Sequence, residues 1–130
     1  MEETKMTTTQ LEEEVYAALV ADENVMGLLH NRESSIFHTR APAVYPDYSI
    51  LVYSVISDVP ALHADNAENA HRVTIRIHII TGENDYTELY SAVKNLMSEL
   101  GFIRVQSTPF IDEDGKFMMI TDWKITIGDE

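Results

Sequence analysis

The chain has 130 residues, 45% of them hydrophobic, and sets nine basic residues against 22 acidic ones for a formal net charge of −13. That length suits one domain with one core, and that charge argues against a module that grips nucleic acid by setting Lys and Arg against phosphates. There is no cysteine, hence no disulfide or thiolate metal site, and no run of 18 apolar residues to mark a transmembrane helix.

The opening MEETKMTTTQ is acidic and polar. It has neither the basic start nor the apolar stretch of a secretory signal. Residues 1–9 read as a flexible tail ahead of a single domain over 10–130. Thr9-Gln10-Leu11-Glu12 has the form of a capping box, and Glu12, Glu13 and Glu14 then sit in a first turn whose dipole favours them. Leu11, Val15, Ala18 and Leu19 recur at helical spacing, which predicts a helix from about Gln10 to Ala21. Asp22 or Asn24 caps a shorter turn carrying Val25, Leu28 and Leu29.

Ile36, Phe37 and His38 form a short strand. Ala41-Pro42 and Tyr45-Pro46 then break regular structure, so this strand belongs at a sheet edge. Ile50 to Ile56 is apolar on both alternating sets, as in a strand covered on both sides. One cover is the protein's own helices and the other a neighbouring subunit. Residues 58–70 read as a long acidic loop, too long for a tight hairpin turn and of the kind that is functional or ordered by a partner.

Val73, Ile75, Ile77 and Ile79 alternate with Thr74, Arg76 and His78, a half-buried strand of period two. Asp85-Tyr86-Thr87-Glu88 signals a second helix with Leu89, Val93, Leu96, Met97 and Leu100 on its apolar stripe. Gly101 is its expected left-handed terminator. Phe102 to Ile111 is a strand whose pairing Pro109 bends or ends. Asp112-Glu113-Asp114-Gly115 is a turn. Lys116 to Ile127 is the last strand, with Met119, Thr121 and Trp123 on one face and Met118, Ile120 and Asp122 on the other. The order α-(β)-β-β-α-β-β predicts an α+β fold, an antiparallel sheet with two main helices packed on one face.

Catalytic and metal chemistry find little footing. His63, Asp65 and His71 share the long loop, but the five histidines are scattered and show no zinc spacing. The Asp112–Asp114 run lacks the twelve-residue spread of a calcium loop. No serine has a Gly-x-Ser-x-Gly setting and no glycine-rich phosphate loop exists. The reading is of a non-enzyme without metal or cofactor. Met118 and Ile120 are candidates for a subunit contact, and Arg72 and Arg76 either pair with a local carboxylate or bridge to the acidic loop of an adjacent copy.

Several segments carry a resemblance: LEEEVYAALV from Leu11, Arg40-Ala-Pro, YSVISD from Tyr53, HRVTIRIH from His71, LYSAV from Leu89, Leu100-Gly-Phe and TDWK from Thr121. In order and pattern, over about residues 10–127, the chain resembles the small tail-completion proteins of long-tailed bacteriophages and prophages, also called tail terminator or head–tail joining proteins. The resemblance implies a structural protein of the virion, assembled in the bacterial host cytoplasm. It implies a hexameric ring on the tail tube that meets the head connector and lets DNA pass. An acidic lumen would repel DNA and let it slide. Partners are then further copies of the chain, the tail-tube protein and the connector, with no sequence-specific nucleic acid and no membrane. The candidate contact residues are Arg40, Tyr53, Leu62, His63, Asp65, Arg72, Arg76, Met118 and Ile120. The alternative is a small dimeric α+β module that binds a ligand or protein.

Overall fold

The computed structural model describes residues 7–29, 32–40, 49–64, 67–81, 86–111 and 117–128. The elements run α1 (Thr8–Ala21), α2 (Glu23–Met26), a 3-10 turn (Arg32–Ser35), β1 (Ile36–His38), β2 (Ile50–Ala64), β3 (Ala67–Thr81), α3 (Thr87–Glu99), β4 (Ile103–Ile111) and β5 (Phe117–Gly128). The strands form one sheet in the order β1-β2-β3-β5-β4. The expected α+β architecture holds, with one change. β1 runs parallel to β2, pairing Ile36 with Leu51 and His38 with Tyr53, so the sheet is mixed. A long connection leaves the chain room to cross back, which a hairpin turn would not.

The first helix is capped two residues earlier than expected, by Thr7 in place of Thr9. Thr7 Oγ1 accepts from the Gln10 backbone N–H at 3.1 Å, and Gln10 Oε1 accepts from Thr7 N–H at 2.8 Å. Thr-x-x-Gln serves as well as Thr-x-x-Glu here, and the earlier box adds two residues of helix. Glu12, Glu13 and Glu14 therefore lie beyond the first turn. Asp22 caps α2, accepting from Val25 N–H at 3.0 Å. Helix α3 begins after Tyr86, without a side-chain cap; Asp85 and the 112–115 turn lie outside the described residues. At its end Gly101 has φ +96°. Phe102 N–H reaches Met97 C=O and Gly101 N–H reaches Ser98 C=O, both at 3.0 Å. This is a Schellman closure, and it uses the backbone freedom of glycine.

The three helices pack on one sheet face. Leu11, Val15, Leu19, Val25, Val93 and Met97 meet Val73, Ile75, Ile77, Ile79, Leu51 and Trp123 in the main core. The clean alternation of β3 thus marks this face as expected. On the other face, Ile50, Val52, Ile80 and Met118 form a small second cluster with Phe37 against it. Residues Ile50 to Tyr53 are therefore buried on both sides within a single chain, and this stretch asks for no neighbouring subunit.

The largest departure is at residues 58–70. In place of a loop, β2 and β3 continue as an antiparallel ribbon to Ala64 opposite Ala67, with register shifts at Val55/Ser57, Pro60/Leu62 and Leu62/His63. Its residues have low strand propensity, but the antiparallel ladder that begins in the regular parts of β2 and β3 runs on through it and overrides propensity. Pro60 is tolerated because, among the described residues, β1 covers β2 only as far as Tyr53 and nothing pairs with β2 beyond it on that side, so a missing N–H there costs little. Pro109 does not end β4 either. It pairs opposite Met119, and pairing runs on to Ile111. The irregularity in that strand lies at Arg104/Gln106.

Candidate functional site: an open sheet face and a bare edge

Among the described residues, no helix lies on the second sheet face. Its centre is a polar network across three strands. Arg76 on β3 stands directly opposite Asp122 on β5, and Asp122 opposite Gln106 on β4. The guanidinium donates through Nε to Asp122 Oδ1 at 2.8 Å and through Nη2 to Oδ2 at 3.0 Å. Gln106 Nε2 donates to Oδ2 at 2.7 Å. The planar fork of arginine suits such two-point pairing. Asp122 is only 3% exposed. The Arg76 hydrogen bonds, aided by Gln106, hold its carboxyl below the usual carboxylate range against the upward push of burial.

His78 sits one step along β3, opposite Ile120. Burial, reinforced by the positive charge of Arg76, lowers its pKa, and Asp122 offsets this in part. The folded state thus favours the neutral ring more than the unfolded chain does. That preference has no effect on stability well above about pH 6.5, and acidification through that value weakens the fold until the folded ring is itself protonated. Replacing His78 by Gln should therefore flatten the fall in melting temperature between pH 7.5 and 5. Equal slopes for both proteins would count against this burial effect.

Apolar side chains flank the network. By register, Val59 faces Arg72, Ile103 faces Lys124, and Phe110 faces Met118, all on the open face. They are 41%, 63% and 49% exposed, and Ile56 at the β2 bulge is 44% exposed. Beside them lies the free edge of the sheet. β4 is exposed over nearly its whole length, and Val105 at its bulge and Ile111 at its end are 52% and 57% exposed. Tyr90 on α3 ties this strand down, its hydroxyl meeting Ser107 Oγ at 2.7 Å and accepting from Arg104 Nη1 at 2.6 Å.

The residues singled out in the sequence fall at scattered places. Arg72 is exposed and Ile120 half-buried on the open face. Arg76 is held by Asp122 of its own chain, and Met118 is packed in the second cluster. Tyr53 is buried on the helix side, stacked between the rings of Tyr16 and His38 at 6.1 and 4.9 Å. Arg40 is exposed just past Thr39, a non-glycine residue at φ +71°. Leu62 and His63 lie on the β2–β3 ribbon, and Asp65 lies outside the described residues. Asp122, Gln106 and the apolar edge were not singled out beforehand. Asp122 did carry a signal, a carboxylate within a β-branched, apolar strand; its partner depends on register, which is set only in the folded sheet.

His71 is buried, with Nδ1 2.7 Å from Asp58 Oδ1. Asp58 also accepts from the Thr8 hydroxyl, so the group ties the start of α1 to the ribbon. No group of three His, Asp or Glu among the described residues is placed to hold a metal. An apolar cleft of about 240 Å³ opens between Leu11, Val15, Phe102, Ile125 and Ile127, smaller than the roughly 300–1,000 Å³ of common ligand pockets. Among the described residues, no helix is long and apolar enough to cross a membrane. No protein-family model matches the chain, and no curated protein is significantly similar to it.

Proposed function

We propose that this chain is a structural subunit of a long-tailed bacteriophage or prophage that closes the tail tube and joins it to the head connector as a hexameric ring. The family resemblance over residues 10–127 supports this reading. The observation that carries an assembly role is β4. A nine-residue edge strand with Ile103, Val105, Phe110 and Ile111 about half exposed or more is a hazard that lone proteins blunt with charge or cover. Here Arg104, Pro109 and the irregularity at Arg104/Gln106 blunt it in part, yet the four large apolar side chains stay open to solvent. Such an edge suits strand addition by a partner, with main-chain hydrogen bonds giving affinity and side-chain pockets specificity. We assign it to the tail-tube end or the connector. The acidity of the chain suits a passage through which DNA slides.

Purified protein added to polymerising tail-tube subunits should shorten the tubes and leave a ring of density at one tube end in electron micrographs. The double variant Val105→Lys/Ile111→Lys places charge along the edge and leaves Ile103 on the open face unchanged. It should fold normally and reduce end occupancy at least about tenfold, the scale of losing interface anchors. Tubes that grow unaltered with the wild-type protein would overturn the proposal.

A further inference from the structure

We infer that copies of this chain associate head to tail, the open sheet face of one receiving the outer surface of α1 of the next. The contact rests on the reading of the chain as a ring subunit and names the surfaces that make the ring. Charge is segregated between the two layers. The three helices carry Glu12, Glu13, Glu14, Glu23, Glu88 and Glu99 against a single base, Lys94. The open face carries Arg72, Arg76 and Lys124, and Asp122, already held by Arg76, is the one acid among the side chains described there. In a chain of net charge −13, two copies repel over most of their surfaces. The orientation that sets Arg72 and Lys124 against glutamates reverses that sign, and complementary potentials of this kind fix register and speed encounter.

The apolar parts match as well. Ile103, Lys124, Thr74 and Ser57 lie in one row across β4, β5, β3 and β2, with Val59 and Arg72 in the next row. Four strands span about 15 Å, wide enough to seat a helix about 10 Å across. On α1, Glu13 and Glu14 are exposed and followed one turn later by exposed Tyr16 and Ala17. Acid beside apolar on the helix thus meets base beside apolar on the sheet. The two surfaces belong to opposite layers of the subunit. A contact between them is heterologous and cannot close as a two-fold dimer; it propagates from copy to copy and forms a ring where the rotation per subunit closes.

The test uses charge exchange in the full chain. Arg72→Glu/Lys124→Glu alters the sheet side and Glu13→Lys/Glu14→Lys the helix side, all on exposed or half-buried positions outside the core, with circular dichroism checking the fold. Light scattering across concentration, alone and with tail tubes, should show each variant associating at least about a hundredfold more weakly than wild type. An equimolar mixture should recover rings, because each variant then meets its complement on both sides. Variants as associated as wild type, a mixture that stays monomeric, or a wild type that remains monomeric even on tubes would each overturn the contact. Tube capping that persists in the variants would sink this contact and leave the tail-cap reading standing. Loss of capping by wild type would sink that reading separately.

Discussion

Replacing Trp123 by Ala should destabilise the fold by about 3–5 kcal/mol, the range for deleting a fully buried large aromatic. Trp123 is 1% exposed and stands opposite Ile75 on β3 and Arg104 on β4. It sits in the main core on which all three helices converge. Its indole also anchors a short relay. Nε1–H donates to Thr121 Oγ1 at 2.8 Å, and that hydroxyl donates to Ile77 C=O at 2.9 Å. Truncation removes both the packing and the donor that fills the threonine's lone pair. Trp123→Phe keeps most of the volume and loses the hydrogen bond, so its cost should be much smaller. Urea denaturation measures both. A Trp123→Ala midpoint within about 1 kcal/mol of wild type would show that the core is not organised around this side chain.

Where burial has a period, the sequence was sufficient. Val73, Ile75, Ile77 and Ile79 announce their shared face, and the stripe Leu89, Val93, Leu96, Met97 announces the helix that covers it, because both repeats follow directly from element geometry. Gly101 was readable for a similar reason, since a chain leaving a helix through positive φ selects glycine. The 58–70 segment failed because its order comes from a neighbour. Asp58, Pro60 and His63 have little intrinsic preference for a strand, and only their pairing with residues 68–73 makes them one. β1 failed in direction for the same reason: three residues carry no signal that separates parallel from antiparallel.

Of the doubly apolar stretch Ile50–Ile56, the chain covers Ile50–Tyr53 by itself and leaves Ile56 44% exposed, and the segment read as a long loop is paired within the chain. The surfaces left over are the apolar edge of β4 and the outer half of the open face, where Ile56, Val59 and Ile103 lie in or beside the rows that hold Arg72 and Lys124. Neither is legible as a surface from the sequence. Ile103 and Val105 read as ordinary strand residues until strand order shows that nothing among the described residues pairs beyond them. The same holds for charge, since a net value says nothing about which layer carries it.

Removing the carboxylate from the open-face network should cost about 2–3 kcal/mol in Asp122→Ala. Breaking a fully buried ion pair by losing one partner costs roughly 3–5 kcal/mol. The Arg76 side chain is 34% exposed and can turn part of its charge to water, which reduces the penalty. Gln106 loses its acceptor too. The folded Asp122 carboxyl titrates below its unfolded value, so its contribution is fully present above about pH 4 and is lost as acid carries it down through the folded pKa. Melting curves should therefore show the gap between wild type and Asp122→Ala narrowing below pH 4. Arg76→Met/Asp122→Leu, which removes both charges and fills the space with apolar atoms, should return to within about 1 kcal/mol of wild type. That recovery would identify the network as a device for aligning β3, β5 and β4 rather than a net source of stability. A double variant as unstable as Asp122→Ala would instead show that the charges themselves hold the sheet.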